Sequence, residues 1–308
     1  MSIQYLPHNK IIKEKWDSCI KLSANGLIYA EYDYLETIAS KWDALILNDY
    51  EAVMPLCWRR KLGIKYLYQP SFFQQGGIFC KQHLPEDLIE AFIKEASLHF
   101  KFAEITMNYQ NVLTYNKKAF SFSLRNNFVL ELNKGYKNIF AGFKPTVRQR
   151  IKKAAQSGLQ YHSSLDYTET ITLYRKLYQQ RLPEFSNKDY EQFQKLCAIY
   201  FKQKRILIRK VTDKEGKDLL AATLLLKDEK RLYNIISCIV PKGKDLLANY
   251  FMYDRIINEF AGTEYIFDFE GSDKPGIAHF YKKFTGNNET YPFVKFNNLP
   301  AAIKLIKP

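Results

Sequence analysis

The chain has 308 residues, of which 46% are hydrophobic and 15% are aromatic. This composition excludes a disordered protein and allows one large or two ordinary domains with cores of their own. The 46 lysines and arginines outnumber the 32 acidic residues and give a net charge of +14. We therefore expect anionic partners, such as nucleic acid, phosphorylated small molecules or an acidic envelope surface.

The cysteines and the apolar runs bear on the compartment. Five cysteines are scattered along the chain without any CxxC spacing, which argues against a disulfide framework or a zinc site. The N-terminal sequence MSIQYLPHNK has no apolar leader, and the longest apolar run, LLAATLLL at 219–226, is far shorter than the ~20 residues that span a bilayer. We expect a cytoplasmic protein with neither a metal ion nor a transmembrane segment.

The first half of the chain predicts helices followed by a sheet. A short strand at 2–6 precedes an amphipathic helix at 10–22 and a second helical segment at 32–41. Polar turns then separate β-rich runs that indicate an antiparallel meander, and a further helix and strand follow. These segments are ALILND, EAVMPLCWRRKL, IKYLYQP, the helix from Pro85 and the strand at 102–108.

A loop with the sequence QQGG, at 74–77, follows the meander. Glycine lets the backbone approach a ligand closely. Gln74 and Gln75 are therefore candidates for contacts with the acceptor substrate. The alternative is a tight turn in which the glutamines are polar filler.

The strongest charge asymmetry lies in the middle of the chain. No acidic residue occurs between Asn133 and Leu165, whereas seven basic residues do: Lys134, Lys137, Lys144, Arg148, Arg150, Lys152 and Lys153. Pro145 suits the start of a helix and Gly158 its end. Cations at helical spacing, among them Arg148 and Lys152, form a track for donor phosphates; the alternative is a solvated helix. We place a domain boundary just before this helix, which gives domains at 1–133 and 134–308.

The second half shows the clearest order of elements, β-α-α-β-β-β-α-β-α-β. Such an order is typical of an α/β sheet that begins antiparallel and ends with a parallel crossover. The predicted strands lie at 159–164, 205–212, 218–227, 231–240, 264–270 and 290–297, and the predicted helices at 167–181, 188–202, 244–261 and 276–284.

The stretch EYIFDFEGSDKPGIAHFYKKFTG, at 264–286, is the predicted active site. Along its strand, aromatic side chains alternate with Ile266, Asp268 and Glu270. Unpaired burial of a carboxylate costs several kcal/mol, roughly, so both carboxylates must reach water, a cation or a ligand. A turn at 271–276 then leads into a short helix that carries Tyr281 and Lys282.

Two sets of residues resemble a known family. The order of elements from 159 to 297 resembles the GNAT acyltransferase fold. The segment VRQRIKKAAQSG, with FDFEGS at 267–272 and FYKKFTG at 280–286, resembles the Fem family of aminoacyltransferases that build peptidoglycan bridges. The resemblance implies a mixed α/β fold of two tandem GNAT-like domains, a degenerate one at 1–133 and one with the active site at 134–308.

The resemblance also implies roles for the candidate residues. Asp268 and Glu270 would orient the attacking amine or take its proton, or else form salt bridges to Lys282 or a basic helix. Lys282 would contact donor phosphates or the developing oxyanion, or else be a solvated helix residue. Tyr281 either donates a hydrogen bond to the substrate or packs in the core.

The acyl-CoA loop of GNAT enzymes is reduced here to VPKGKD, at 240–245. Lys242, Gly243 and Lys244 either hold an anion at a helix N-terminus or form a plain capped turn. The predicted function is therefore acyl or aminoacyl transfer from acyl-CoA or aminoacyl-tRNA, with no tightly bound cofactor, to an amine.

The acceptor that the resemblance implies is a cell-envelope or peptidoglycan precursor, which would bring the protein to anionic membrane precursors. Two alternatives stay open: a non-catalytic protein that binds tRNA or other RNA, and a small-molecule acetyltransferase.

Overall fold

The computed structural model describes residues 2–271 and 274–300. It divides into two compact units. The first comprises the described residues up to Arg125 and those from Thr290 onward, and the second runs from Asn126 to Glu289. Two residues of the predicted turn, Ser272 and Asp273, lie outside the described residues.

Strands and helices are interspersed along the whole chain. The chain up to residue 125 forms β1 (Ile3–Leu6), α1 (Lys13–Leu22), α2 (Tyr32–Ile38), β2 (Trp42–Leu47), β3 (Ala52–Lys61), β4 (Ile64–Leu67), β5 (Phe79–Cys80), α3 (Glu86–His99), β6 (Phe102–Thr106) and β7 (Ser121–Arg125). The remainder forms β8 (Val129–Glu131), α4 (Tyr136–Gly142), α5 (Pro145–Gln156), β9 (Gln160–Ser164), α6 (Tyr167–Tyr178), α7 (Asn187–Lys202), β10 (Ile206–Thr212), β11 (Leu219–Lys227), β12 (Arg231–Ile239), α8 (Pro241–Asp245), α9 (Ala248–Phe260), β13 (Ile266–Asp268), α10 (Pro275–Tyr281) and β14 (Tyr291–Asn297).

The first unit is built on a sheet with the strand order β1-β2-β3-β4-β6-β14-β7, and β5 pairs with β3. Its neighbouring strands are antiparallel except for β4 and β6, which are parallel. Strand β2 is buried along its whole length, and α1 and α3 pack against this part of the sheet. The predicted meander is confirmed as β2, β3 and β4.

The final strand corrects the expected organisation. The sequence places the strand at 290–297 at the end of the second half, but β14 pairs with β6 and β7 in the sheet of the first unit. Its apolar side chains Val294 and Phe296 are buried there. Conversely, β8, which the sequence assigns to the first half of the chain, pairs with β13 in the second unit. The units therefore divide at Asn126 and Glu289, whereas the sequence suggests a single boundary before Lys134.

The second unit contains a sheet with the strand order β8-β13-β12-β11-β10-β9, in which β12 and β13 are parallel and the other neighbours antiparallel. Helix α9 packs on β10 and β11, and α5 packs on α9. Helix α6 packs on β11 and β12. The interior residues of β11 are all buried. The predicted α/β order from the strand at 159–164 to the helix at 276–284 is confirmed, although β13 is shorter than predicted.

No helix within residues 2–271 and 274–300 is both long enough and apolar enough to cross a lipid bilayer.

A glutamine fills the gap where the two parallel strands of the first unit diverge. Strands β4 and β6 pair only at Leu67 and Ala103. Beyond that pair, the Gln69 side chain accepts the Thr106 N–H at 3.0 Å and donates to the carbonyl of Phe73 at 2.5 Å. The cavity that remains there is about 10 Å³, which is room for about one water molecule.

We predict that Gln69→Ala destabilises the protein by about 1–3 kcal/mol, because the buried Thr106 N–H loses its acceptor. Urea unfolding of the full chain measures the loss. The control is Gln4→Ala at an exposed position of β1. Equal stability of the two variants would contradict the structural role of Gln69.

Candidate active site

Parallel strands also diverge in the second unit, and the candidate site lies where they do. Strands β12 and β13 pair from Arg231 and Ile266 to Tyr233 and Asp268, where β13 ends. Strand β12 continues to Ile239. The amide N–H of Ile239 donates to the hydroxyl of Tyr178 at 3.3 Å. A side chain therefore bonds the β12 backbone where β13 no longer runs beside it.

A β-bulge distorts β12 at the same level. Its register on β11 pairs Ile236 with Leu224 but Tyr233 with Leu226, so Asn234 and Ile235 lie opposite Leu225. Bulges of this kind change the direction of backbone groups and are common next to active sites. This bulge is at the point where β12 leaves β13.

Glu270 follows β13 and has an unusual conformation. Its φ is 60°, a left-handed value that costs a residue with a side chain about 1–2 kcal/mol. Its N–H donates to Oδ1 of Asp268 at 2.9 Å. Desolvation by the surrounding protein raises the pKa of the Glu270 carboxyl to about 8. The carboxyl can therefore exchange a proton near neutral pH.

The next residue must be glycine. Gly271 has a φ of 23°, and a Cβ atom there would lie 2.1 Å from the carbonyl oxygen of Asn126. The backbone after Glu270 therefore passes too close to a neighbouring segment for any side chain.

Asp268 is a buried member of a charge network. It is 1% exposed and accepts hydrogen bonds from Arg231 and from Nδ2 of Asn127, both at 3.1 Å. Arg231 also forms a bidentate pair with Glu289 at 2.8 and 2.9 Å. Burial raises the pKa of Asp268, and the charge of Arg231 opposes that rise. The predicted salt bridge to Lys282 or to a basic helix is replaced by one to Arg231, and Asp268 is placed to position Glu270.

Two buried tyrosines extend the group of polar side chains from Glu270 towards β12. The ring of Tyr281 lies 4.9 Å from that of Phe269. Burial, followed by the proximity of Tyr253 and of Glu270, raises the pKa of Tyr281 well above its usual value. Tyr253 on α9 donates to Oγ of Ser237 at 2.9 Å and accepts from Asn234 at 3.0 Å. Tyr281 therefore lies in the core beside these buried polar groups.

Two distant basic segments meet near this site. Lys282 is exposed at the end of α10. The carbonyl of Lys283 accepts the N–H of Lys144 at the start of α5 at 3.0 Å, and α5 packs against α9. Lys152 is exposed, Arg148 is half-buried, and Arg150 donates to the hydroxyl of Tyr250. The structure thus joins the cations of α5 to those of α10.

The reduced loop after β12 has its own contacts. Lys242 pairs with Asp218 at 2.5 Å and with Asp213 at 3.5 Å, and Lys244 is exposed. A Cβ on Gly243 would lie 2.2 Å from the carbonyl oxygen of Leu220. Close packing therefore accounts for the glycine at position 243, and the two ion pairs with Asp213 and Asp218 account for the lysine at position 242.

The predicted substrate loop of the first unit is a packed turn. Gln75 is fully buried; its Oε1 accepts the Tyr109 N–H and its Nε2 donates to Gln74, both at 3.0 Å. The carbonyl of Gln74 accepts the hydroxyl of Thr106 at 2.7 Å. Through these hydrogen bonds, both glutamines help to hold the loop in its conformation.

Comparison with solved structures shows what the fold resembles. FemX has a TM-score of 0.63 and 13% identity, with 100% of both chains covered. The C-terminal DUF2156 domain of a putative lysylphosphatidylglycerol synthetase from Agrobacterium fabrum has a TM-score of 0.54 and 12% identity, covering 96% of this chain and 94% of that one. A tandem GNAT protein of clavulanic acid biosynthesis has a TM-score of 0.53 and 8% identity, covering 97% and 100%. No protein-family model and no curated protein matches the sequence.

The predicted fold is confirmed: the chain has the tandem GNAT-like fold that is also seen in FemX. The parallel strands β12 and β13, their divergence and the helix between them are the parts of this fold that position Glu270.

Sequence reasoning missed several residues of the site. Arg231, Asn234 and Ser237 lie on β12, Tyr253 on α9 and Tyr178 on α6. Polar residues within the otherwise apolar strand RLYNIISCI were the available signal, since a buried polar group needs a partner. The partners themselves are distant in sequence.

The raised pKa of Glu270 makes stability depend on pH. The folded state holds a proton on this carboxyl up to pH about 8, whereas an unfolded glutamate releases it near 4.3. Folding therefore becomes less favourable as pH rises through that window, and the effect of this group is absent at lower pH.

We predict that Glu270→Gln gains thermal stability relative to the wild type between pH 5 and 8, because glutamine never has to ionise. Differential scanning fluorimetry across the window measures the gain. A difference in Tm that stays constant with pH would contradict the shifted pKa. Glu229→Gln, in an exposed turn, is the control.

Proposed function

We propose that the second unit transfers an acyl or aminoacyl group from an activated ester or thioester to an amine, with Glu270 as the general base. The observation that carries this proposal is the Glu270 carboxyl, with a pKa of about 8, at the end of β13 where the parallel strands diverge. A general base is most effective when its pKa lies near the working pH.

The chemistry assigns one proton to Glu270. The amine nitrogen attacks the carbonyl carbon of the donor, and the Glu270 carboxylate takes a proton from that nitrogen. The bond from the carbonyl carbon to the ester oxygen or thioester sulfur then breaks, and the leaving alkoxide or thiolate is protonated. Glu270 can return the proton that it took from the amine to the leaving group, whereas Tyr281, whose pKa is well above its usual value, keeps its own proton.

Negative charge on the carbonyl oxygen needs hydrogen-bond donors. The open edge of β12 supplies candidates. The Ile239 N–H points to the Tyr178 hydroxyl, and a tyrosine hydroxyl that accepts one bond can donate another. We assign the stabilisation of the oxyanion to this edge.

We propose aminoacyl-tRNA as the donor, with acyl-CoA as the alternative. A pyrophosphate would have to compete with Asp213 and Asp218 for Lys242. The cations of α5, by contrast, are mostly exposed and are continuous with the end of α10. An extended basic surface suits a polyanion better than a single pyrophosphate. The roles of Arg148, Lys152 and Lys282 are therefore contacts with tRNA phosphates.

For the acceptor, we propose an amine of a cell-envelope precursor that is modified in the cytoplasm. The resemblance of FDFEGS and FYKKFTG to the Fem family supports this choice. The fold of FemX supports it as well.

The donor is tested by binding. We predict that charged tRNA binds the wild type and that Arg148→Gln with Lys152→Gln weakens binding, lowering the salt slope by about 1 for each phosphate that is no longer neutralised. Fluorescence anisotropy against salt measures both. The matched control is Lys195→Gln with Lys202→Gln, two exposed positions of α7. Tight acyl-CoA binding without tRNA binding would select the alternative donor.

The base is tested by activity. We predict that Glu270→Gln lowers the rate of amide formation by about 10²–10⁴-fold and removes an ascending limb of the pH–rate profile near pH 8. Mass spectrometry of the acceptor amine measures the product. Donor binding should survive the substitution. Binding of tRNA by both proteins without any product would favour the non-catalytic RNA-binding alternative.

A further inference from the structure

The hairpin of β3 and β4 in the first unit has an exposed apolar tip. Strand β2 covers β3 only as far as Cys57, so we call Trp58–Leu67 the basic hairpin. Its turn consists of Leu62 and Gly63, with φ values of 49° and 78°. Leu62 is 87% exposed, more than any other large hydrophobic residue that the structure describes.

Leucine at position 62 is energetically unfavourable for this turn. Two-residue turns with positive φ at both positions favour Asn-Gly or Gly-Gly, and leucine in the left-handed region is strained. An apolar side chain thus occupies the tip where a polar residue would fold better. Such a residue calls for an explanation outside the folding of the hairpin itself.

The sides of the basic hairpin carry one sign of charge. No acidic residue occurs between Glu51 and Glu86. The cations are Arg59, Arg60, Lys61 and Lys65, joined by Lys41, which lies directly before β2. Within residues 2–271 and 274–300, these five side chains form no ion pair with a carboxylate.

The cations are arranged against one another and against aromatic rings. Arg60 and Lys65 are direct cross-strand partners, and like charges in that position repel. The Nζ atoms of Lys41 and Lys65 lie 5.1 and 4.4 Å from the ring centre of Trp58, and the guanidinium of Arg59 lies 4.0 Å from that of Tyr68. An anion between Arg60 and Lys65 would relieve their repulsion.

We propose that the basic hairpin docks on an anionic lipid bilayer. Leu62 enters the acyl region, the five cations contact lipid phosphates, and Tyr66, which is partly exposed, lies at the headgroup level, where aromatic side chains are favoured. The exposed leucine distinguishes this partner from RNA, whose phosphates match the cations but offer nothing to an aliphatic tip. This surface does not depend on acyl transfer in the second unit.

The test is co-sedimentation of the full chain with vesicles. We expect binding to phosphatidylcholine vesicles that contain phosphatidylglycerol and no binding to phosphatidylcholine alone. Leu62→Asn should lower affinity at least tenfold while keeping or raising the Tm, because asparagine suits the left-handed turn. Arg60→Gln with Lys65→Gln should lower affinity about fivefold for each charge.

The control for net charge is Lys195→Gln with Lys202→Gln on α7, which removes the same number of charges elsewhere and should retain wild-type affinity. Wild-type vesicle binding by Leu62→Asn would overturn the proposal. So would equal losses in the two charge variants, because binding would then reflect overall charge alone. Loss of affinity for a structured RNA in the hairpin variants, without any vesicle binding by the wild type, would assign the surface to nucleic acid instead.

Discussion

A buried arginine between two carboxylates holds the second unit together at the point where its parallel strands part. Arg231 begins β12, Asp268 ends β13, and Glu289 immediately precedes the return of the chain to the first unit. Asn127, at the other end of the unit, donates to Asp268, and its carbonyl accepts the N–H of Glu289 at 2.7 Å. Removing one partner would leave a buried charge uncompensated, which is far more costly than the pair is worth. The network therefore fixes where the unit begins, where it ends and where its sheet opens.

The geometry of the candidate base depends on the same network. Asp268 uses one oxygen for Arg231 and Asn127 and the other for the N–H of Glu270. That second bond holds Glu270, two residues beyond the end of β13, in a left-handed conformation, which the glycine after it continues. Two carboxylates separated by one residue thus have different tasks. Burial raises the pKa of both carboxyls. The charge of Arg231 opposes that rise for Asp268, which fixes the backbone, whereas the pKa of Glu270 reaches about 8. A pair of titratable groups in different environments is how one site obtains different acid–base roles.

Local sequence patterns predicted the helices and strands, whereas strand neighbours and buried ion pairs depend on contacts between distant segments. The helix at α5 and the strand at β12 were predicted from patterns within one segment, and both appear in the structure. Strand β14 has the same kind of pattern, but nothing within the segment specifies that β6 and β7 are its neighbours. Asp268 could be selected from sequence because a carboxylate in a buried strand needs a partner. Arg231 could not be matched to it, because the choice of cation depends on how β12 and β13 come to lie in parallel.

Both sheets contain a pair of parallel strands that diverge, but the backbone groups at the two places have different partners. In each unit a pair of parallel strands separates after a short ladder, and the exposed backbone groups there must find partners. In the first unit, Gln69 supplies an acceptor to β6 and a donor to its own loop, so the gap is filled by the chain itself. A ligand would have to displace bonds that already satisfy the backbone. In the second unit, the hydroxyl of Tyr178 accepts the N–H of Ile239 on β12, and a hydroxyl that accepts one bond still has a proton to donate. The Gln69 amide uses both its acceptor and its donor within the chain, whereas the Tyr178 hydroxyl keeps a donor that a ligand can accept.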